Sequence, residues 1–436
     1  MTTAAEEVVP LCQDLIRIDT TNYGPTPDTV GERQAAEYIA AKLDEVGIAS
    51  EFYEPAPNRT TLIARWEPDG CDPDISPLLI HGHTDVVPAD ASDWQVHPLS
   101  GELRDGCVWG RGAVDMKSFD AMVLAVVRDR QRTGRPPRRP IRLAFTADEE
   151  AGSSLGARWL VREHPETVAD CTHAIGEVGG FSVTVRDDLR LYLIQSAEKG
   201  LAWLNLTAEG TAGHGSMLNP DNPVTELAAA VARIGAHEWP HRVHPAQRAF
   251  LDAVSDALGH PVDMNNIEES LAPLGSINRM IAAAVSNTAN PTMLDAGYKH
   301  NVIPGRASAG VDARFIPGHE QELYDTIAEL IGPKVRYEVA THARAVETDF
   351  SGPFTEAISA SLRAHDPHAV SVPYLMSGGT DAKGWSELGI KCFGFIPMKL
   401  PADMDFVTLF HGIDERIPVE TLQFGVKVLD TFLDLA

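Results

Sequence analysis

Apolar residues recur at helical spacing at the start of the chain, where Val8, Val9, Leu11, Leu15 and Ile16 share one face. The same spacing returns over residues 31–46. There Ala36, Ile39, Ala40 and Leu43 form a stripe that Gly47 closes. Strands and helices then alternate. Residues 61–66, 77–80, 141–147 and 173–178 are short apolar runs of strand length, and residues 116–130 and 155–163 carry helical patterns. Such alternation predicts an α/β sheet covered by helices on both faces.

Near Lys199-Gly200 the pattern changes. Residues 201–208 alternate apolar and polar, as a half-exposed strand does. A helix is predicted over 223–236, followed by a polar helical stretch to about 285. Strands at 292–298 and 306–314, a helix at 319–331 and a strand at 334–340 follow. The order β-α-β-β-α-β fits a ferredoxin-like insert. The first pattern resumes with a strand at 391–397 and a closing amphipathic helix over 418–434, whose first turn suits Pro418. One catalytic domain, residues 1–199 and 345–436, is thus expected to be split by a smaller domain at 200–344.

The chain's 436 residues exceed one ordinary core, which agrees with two domains. A net charge of −26 repels phosphate backbones and anionic lipid, so neither nucleic acid nor membrane is expected as a partner. Five scattered cysteines form no CxxC pair or disulfide framework, and the acidic start is unlike a signal peptide. A cytoplasmic location is the expectation.

Residues able to bind metal or move protons fall at the carboxyl ends of the predicted strands. His83 and Asp85 follow the strand 77–80, Glu149 and Glu150 follow 141–147, and Glu177 ends 173–178; Asp115 sits in a loop just before a helix. That edge is where open α/β sheets build their sites. Two zinc ions need imidazole and carboxylate ligands, one carboxylate bridging both. An aspartate two residues beyond a histidine can orient its ring. Neighbours at a strand end diverge, so one of Glu149 and Glu150 can bind metal while the other serves as general base. Each residue also has a plain reading: His83 as a loop histidine, Asp115 as a helix cap, the glutamate pair as a solvated face. Glu177 stands out because a lone carboxylate in an apolar strand is costly. His214 is either a turn histidine or a donor to an oxyanion. Arg314 either pairs with Asp312 or grips a substrate carboxylate. The loop Ser377-Gly378-Gly379-Thr380-Asp381 could hold an anion on its backbone, and His411 alone is a weak ligand candidate.

His81-Gly82-His83-Thr84-Asp85-Val86-Val87-Pro88 resembles the first metal motif of the M20 metallopeptidases, a group that includes aminoacylase-1, carboxypeptidase G2-like and carboxypeptidase S-like enzymes, acetylornithine deacetylases and succinyl-diaminopimelate desuccinylases. The loop Trp109 to Ser118, Asp148-Glu149-Glu150, Gly176-Glu177, Gly213-His214-Gly215-Ser216, Asn301 to Pro304 and His411 follow in the family's order. The resemblance implies an α/β/α zinc-peptidase-like domain on a mixed sheet, with an inserted ferredoxin-like α+β lid and dimerisation domain. It implies two zinc ions, with cobalt or manganese as substitutes. His83, Asp115 and Glu177 would bind one, and Asp115, Glu150 and His411 the other. Asp85 would orient His83, and Glu149 would be the base that serves metal-bound hydroxide. His214 would reach the partner subunit's site in a homodimer to stabilise the oxyanion. Asn301, Arg314, Gly379 and Thr380 would hold the substrate carboxylate.

The expected reaction is hydrolysis of an amide bond beside a free carboxylate, in an N-acyl-amino acid or a short peptide. The loop Gly379-Thr380-Asp381-Ala382-Lys383, with Phe393 to Pro397, resembles the aminoacylase and carboxypeptidase S branch more than the desuccinylases. Biosynthetic deacylation of acetylornithine or succinyl-diaminopimelate is the second reading, and a metal-binding scaffold without catalysis the third. A two-acid glycosidase fits least. The stretch 241–290, longer than in minimal lids, is expected to shape either the acyl pocket or the dimer contact.

Overall fold

A computed structural model describes residues 2–72, 74–275 and 277–436. Four parallel strands form the centre of a ten-stranded mixed sheet, in the order Ile141–Thr146, Leu78–His83, His173–Gly176, Lys391–Gly394. Every residue of Leu78–His83 is buried, which explains its unbroken apolar run: a central parallel strand is covered on both faces. Arg59–Trp66 and Ser50–Ala56 extend one side as antiparallel strands. Phe181–Arg186, Leu189–Glu198 and Ala369–Met376 extend the other.

The helix Lys117–Thr133 lies beneath the central strands and is buried along nearly its whole length. It stops at Gly134, whose φ of +66° is the left-handed conformation that ends many helices. Helix and strand touch closely at Gly82, where an added Cβ would lie 2.3 Å from Oδ1 of Asp120. The terminal helices Ala4–Arg17 and Val419–Leu435 pack on the same face and complete one apolar core.

The second body is a four-stranded antiparallel sheet in the order Thr288–Ala296, Arg306–Phe315, Gly200–Glu209, Val335–Ala343, with helices Pro223–Gly235 and Glu320–Ile331 packed on one face. This is the ferredoxin-like order. Burial alternates along Arg306–Phe315, as it must where one sheet face is covered and the other open.

The helical stretch after residue 241 does not join that sheet. Helix Pro245–Leu258 packs on Ala369–Met376, and Phe250, Leu251, Val254, Leu271, Leu274, Ile277 and Ile281 belong to the core of the large-sheet body. The chain leaves the four-stranded body for the large-sheet body and returns before Thr288. No helix among the described residues is long and apolar enough to cross a membrane.

Candidate metal centre

The parallel strands deliver their polar residues to one edge. Leu78–His83 ends in the first imidazole, the turn after Ile141–Thr146 carries Glu149 and Glu150, and Glu177 follows His173–Gly176. Asp115 lies between the two histidines. Its Oδ1 is 3.0 Å from Nε2 of His83, and its Oδ2 is 3.4 Å from Nε2 of His411. Nε2 of His83 lies 3.5 Å from Glu177 and 3.9 Å from Glu149, and Nε2 of His411 lies 3.1 Å from Glu150. One ligand atom each from His83, Glu149 and Glu177 lie within 4.8 Å of one another, as do those of His83, Asp115 and Glu150.

This donor set suits divalent cations. Four carboxylates and two imidazoles converge, and Oε1 of Glu150 is buried with no hydrogen-bond partner among the described residues. Their ionisation shows the strain of that convergence. Burial, and then the charge of Glu177, hold the Glu149 carboxyl well above the usual range. Burial raises Glu150 as well. Hydrogen bonds to Asp115 and Glu150 push His411 up to about 10. Burial opposes a charge on His83, but Glu177 and Asp115 outweigh it and raise that group too. Bound cations would offset the charge that burial opposes here.

Asp85 acts differently from the expectation. The ring of His83 is held through Nδ1 by the backbone carbonyl of Asp85 at 3.0 Å, while the Asp85 carboxylate stands 3.6 Å away. That carboxylate instead accepts the backbone N–H groups of Glu149 and Glu150 at 3.2 and 3.1 Å and the amide of Asn22 at 2.8 Å. Asp85 therefore fixes the glutamate turn. The two glutamates sit in a 3₁₀ turn, Glu149–Ala151, and not in extended strand. They diverge because successive residues step around that turn, sending Glu149 towards His83 and Glu150 towards His411.

Sequence reasoning did not reach the supports beneath these ligands. The buried carboxylate of Glu415 accepts N–H bonds from Gly112, Val114 and Asp115, and its Oε2 takes the Arg111 guanidinium at 2.7 Å. Arg111 also donates to the His411 carbonyl at 3.3 Å. One ion pair thus joins the loop of Asp115 to the loop of His411. Asp148, left-handed at φ +65°, is held by Arg59 at 2.8 Å, with Glu32 on the same guanidinium at 2.8 Å. Acids beside ligands in His411-Gly412-Ile413-Asp414-Glu415 and Asp148-Glu149-Glu150 were the available signal, but the arginines that neutralise them are remote in sequence.

The expected substrate residues make their polar contacts outside this cluster. His214 is exposed, with Nδ1 2.8 Å from the Ser216 hydroxyl, and its strand pairs with Val302. Asn301 is exposed beside it, its carbonyl accepting from Gly215 N–H at 2.9 Å. Arg314 makes a two-pronged pair with Asp312 at 2.7 and 3.0 Å. Thr380 gives its N–H and hydroxyl to the buried Glu198 at 3.2 and 2.6 Å, while Gly379 beside it is exposed.

Residues 79–435 match the model of peptidase family M20/M25/M40. The chain belongs to this family. It is 26% identical to an N-fatty-acyl-amino acid synthase/hydrolase of Xenopus tropicalis, over 97% of this chain and 84% of that one. It is 26% identical to aminoacylase-1 of Sus scrofa, over 98% and 94%. Among solved structures, an M20 family metallo-carboxypeptidase of Sulfolobus solfataricus superposes with a TM-score of 0.73 at 16% identity, covering 98% of this chain and 99% of that one. These M20 relatives mark the chain as a hydrolase of the aminoacylase and peptidase kind, with a candidate metal site at the sheet edge.

Two outcomes follow from the site. Glu415→Gln removes the charge that gathers the Asp115 loop and is expected to weaken metal binding about 10- to 100-fold, read by chelator competition; unchanged affinity would exclude the positioning role. Burial, with Asp115 and Asp381 adding their charge, pushes the Glu177 carboxyl up from 4.5 to about 8. A group raised by folding stabilises fully below its unfolded pKa, and that stability is lost as pH rises through the folded value. The Tm of metal-free protein should therefore fall between about pH 5 and pH 8, and the Tm of metal-loaded protein should not. Thermal unfolding with and without chelator at both pH values measures the difference.

Proposed function

We propose that this protein is a two-metal amidohydrolase that cleaves an amide bond beside a free carboxylate, in an N-acyl-amino acid or at the C-terminal residue of a short peptide. The observation that carries this reading is Asp115, whose two oxygens divide between His83 and His411. A bridging carboxylate has that form. His83, Asp115 and Glu177 would hold one cation, and Asp115, Glu150 and His411 the other. Zinc suits this mixture of imidazole and carboxylate, and cobalt or manganese can replace it.

When bound, such a pair supplies Lewis acidity to the amide carbonyl and acidifies water. The chain supplies the rest. Glu149 is the general base, with a buried carboxyl whose hold on a proton burial strengthens; it takes a proton from water and gives it to the departing amine. Asp85 holds the turn that aims it. The amide C–N bond breaks, water's oxygen joins the carbonyl carbon, and both products leave without redox change.

The carboxylate is assigned to the Gly379–Thr380 loop, with Asn301 and Arg314 brought in from the lid. Asp312 occupies Arg314 here, so that role requires substrate to displace a pair already made. The lid is proposed to form a homodimer. Its edge strand Thr288–Ala296 exposes Met293 and Leu294, and Tyr298 follows, also exposed. His214, exposed and clear of its own cluster, then serves the partner subunit's site. All five cysteines are free, which supports a cytoplasmic setting. Deacylation of succinyl-diaminopimelate is disfavoured by the apolar recess beside Glu177, which offers a distal carboxylate no cation among the described residues.

Glu149→Ala should retain its metal and lose about 10²- to 10⁴-fold in turnover of acyl-amino acids; near-normal turnover removes Glu149 from the role. Mixing Glu149→Ala with His214→Ala protein, each inactive alone, should restore part of the activity through mixed dimers. No recovery, or a monomer by sedimentation, would refute the crossed site.

A further inference from the structure

One buried carboxylate beside the glutamate turn is neither a candidate ligand nor, among the described residues, a member of an ion pair. Asp381 is 1% exposed. Its two oxygens accept hydroxyls instead: Oδ2 takes Thr146, the last residue of strand Ile141–Thr146, and Oδ1 takes Ser153. The Thr146 hydroxyl also lies 3.1 Å from the carbonyl of Gly82, one residue before His83. Ser153 closes the loop that holds the two glutamates. Its N–H donates to the Asp148 carbonyl at 2.6 Å, and its φ of +59° is left-handed. Asp85 binds the start of this loop through the N–H groups of Glu149 and Glu150, and Asp381 binds its end. A buried carboxylate without a cation is costly, so its place here asks for a reason.

The other end of the link is the loop assigned to the substrate carboxylate. Asp381 follows Gly379 by two residues. The N–H of Thr380 is taken by Glu198, whereas those of Gly378 and Gly379 make no hydrogen bond among the described residues. That free pair is what a carboxylate can use. The loop is not free to drift. Gly379 rests on the stem of Lys383, so closely that an added Cβ would stand 2.2 Å from Cε. Nζ of Lys383 donates to the carbonyls of Lys199 at 2.6 Å and Arg344 at 3.1 Å, and lies 3.2 Å from the Glu198 carboxylate. Those two carbonyls belong to the first and last crossings of the chain between the two bodies.

Resting on the amidohydrolase reading, we propose that Asp381 is a positioning residue that fixes the separation between the Gly378–Gly379 backbone, which receives the substrate carboxylate, and the turn that aims Glu149. That separation selects amides whose nitrogen lies one carbon from the carboxylate over those two carbons away. With the carboxylate held, an extra methylene moves the amide by about one bond length, and a misplacement of about 1 Å can cost about 100-fold in rate. A slack link between loop and turn would follow the longer substrate; a stiff one rejects it. A carboxylate suits the link because each oxygen takes one hydroxyl, where asparagine offers a single oxygen. Asp381 itself touches no reacting atom.

The test uses two isomeric pairs, N-acetyl-L-alanine with N-acetyl-β-alanine and glycyl-L-alanine with glycyl-β-alanine, assayed by amine release on metal-loaded full-length protein. The α to β ratio of kcat/KM should be about 100 in the unaltered chain. Asp381→Ala should lower that ratio about tenfold or more, chiefly through kcat on the α substrate, with metal affinity unchanged by chelator competition. Asp381→Asn should fall between the two. Ser153→Ala cuts the same link at its far end and should lower the ratio too, and adding Asp381→Ala to it should lower the ratio little further. If Asp381→Ala does not fold, Asp381→Asn and Ser153→Ala carry the test. Equal losses on both isomers, or loss of bound metal, would reduce Asp381 to a structural support and overturn the proposal while leaving amide hydrolysis standing. No turnover of any acyl-amino acid or dipeptide would overturn the hydrolase reading and this inference together.

Discussion

Mutual repulsion among buried acids governs this molecule. Asp115, Glu149, Glu150 and Glu177 occupy one small volume at the edge of the parallel strands, where water cannot screen them. Left alone, such a group takes up protons or drives the loops apart. Much of the surrounding structure opposes that outcome. Glu415 and Arg111 bind the Asp115 and His411 loops together, Arg59 neutralises Asp148 and Glu32, and Asp85 is stitched to the glutamate turn by two backbone N–H groups. The arrangement resembles a spring held closed by its frame, which cations would relax.

The frame is rigid for reasons that begin in composition. Central strands that are mostly apolar along their length can be buried on both faces, with Arg142 near the start of its strand paired to Glu67 and Asp170, so ligand-type residues collect at the carboxyl ends. The close approach of helix Lys117–Thr133 at Gly82 fixes the depth at which the first histidine emerges. Fold and site are therefore not separate achievements: the apolar runs that build the sheet also bring remote acids to one edge.

That coupling explains what the sequence reveals. Strand-end positions of His83, Glu149, Glu150 and Glu177 follow from periodicity alone, and the ferredoxin-like order follows from the alternation in Gly200–Glu209 and Arg306–Phe315. Supports such as Arg59 and Arg111 were illegible because their partners are distant in the chain and their charge reads as ordinary surface. Strands Leu189–Glu198 and Ala369–Met376, and helix Pro353–His365, are hard to read because polar residues interrupt their apolar runs; Tyr192, for one, is buried and pairs with the buried Asp366, which also holds the half-buried Arg190. The glutamate turn differs for another reason: strand alternation carried on from Thr146 to Glu150 runs past Asp148, where the left-handed backbone turns the chain out of the strand.

The excursion of residues 241–285 onto the large-sheet body changes how the two bodies are joined. A simple insert is tied by two strands of chain and can swing like a door. Here the polypeptide passes between the bodies near 199–200, 235–245, 282–288 and 343–346. Four tethers spread along a boundary leave little freedom for wide rotation and favour a shallow rocking, so that access to the cleft depends more on side chains turning than on whole domains parting.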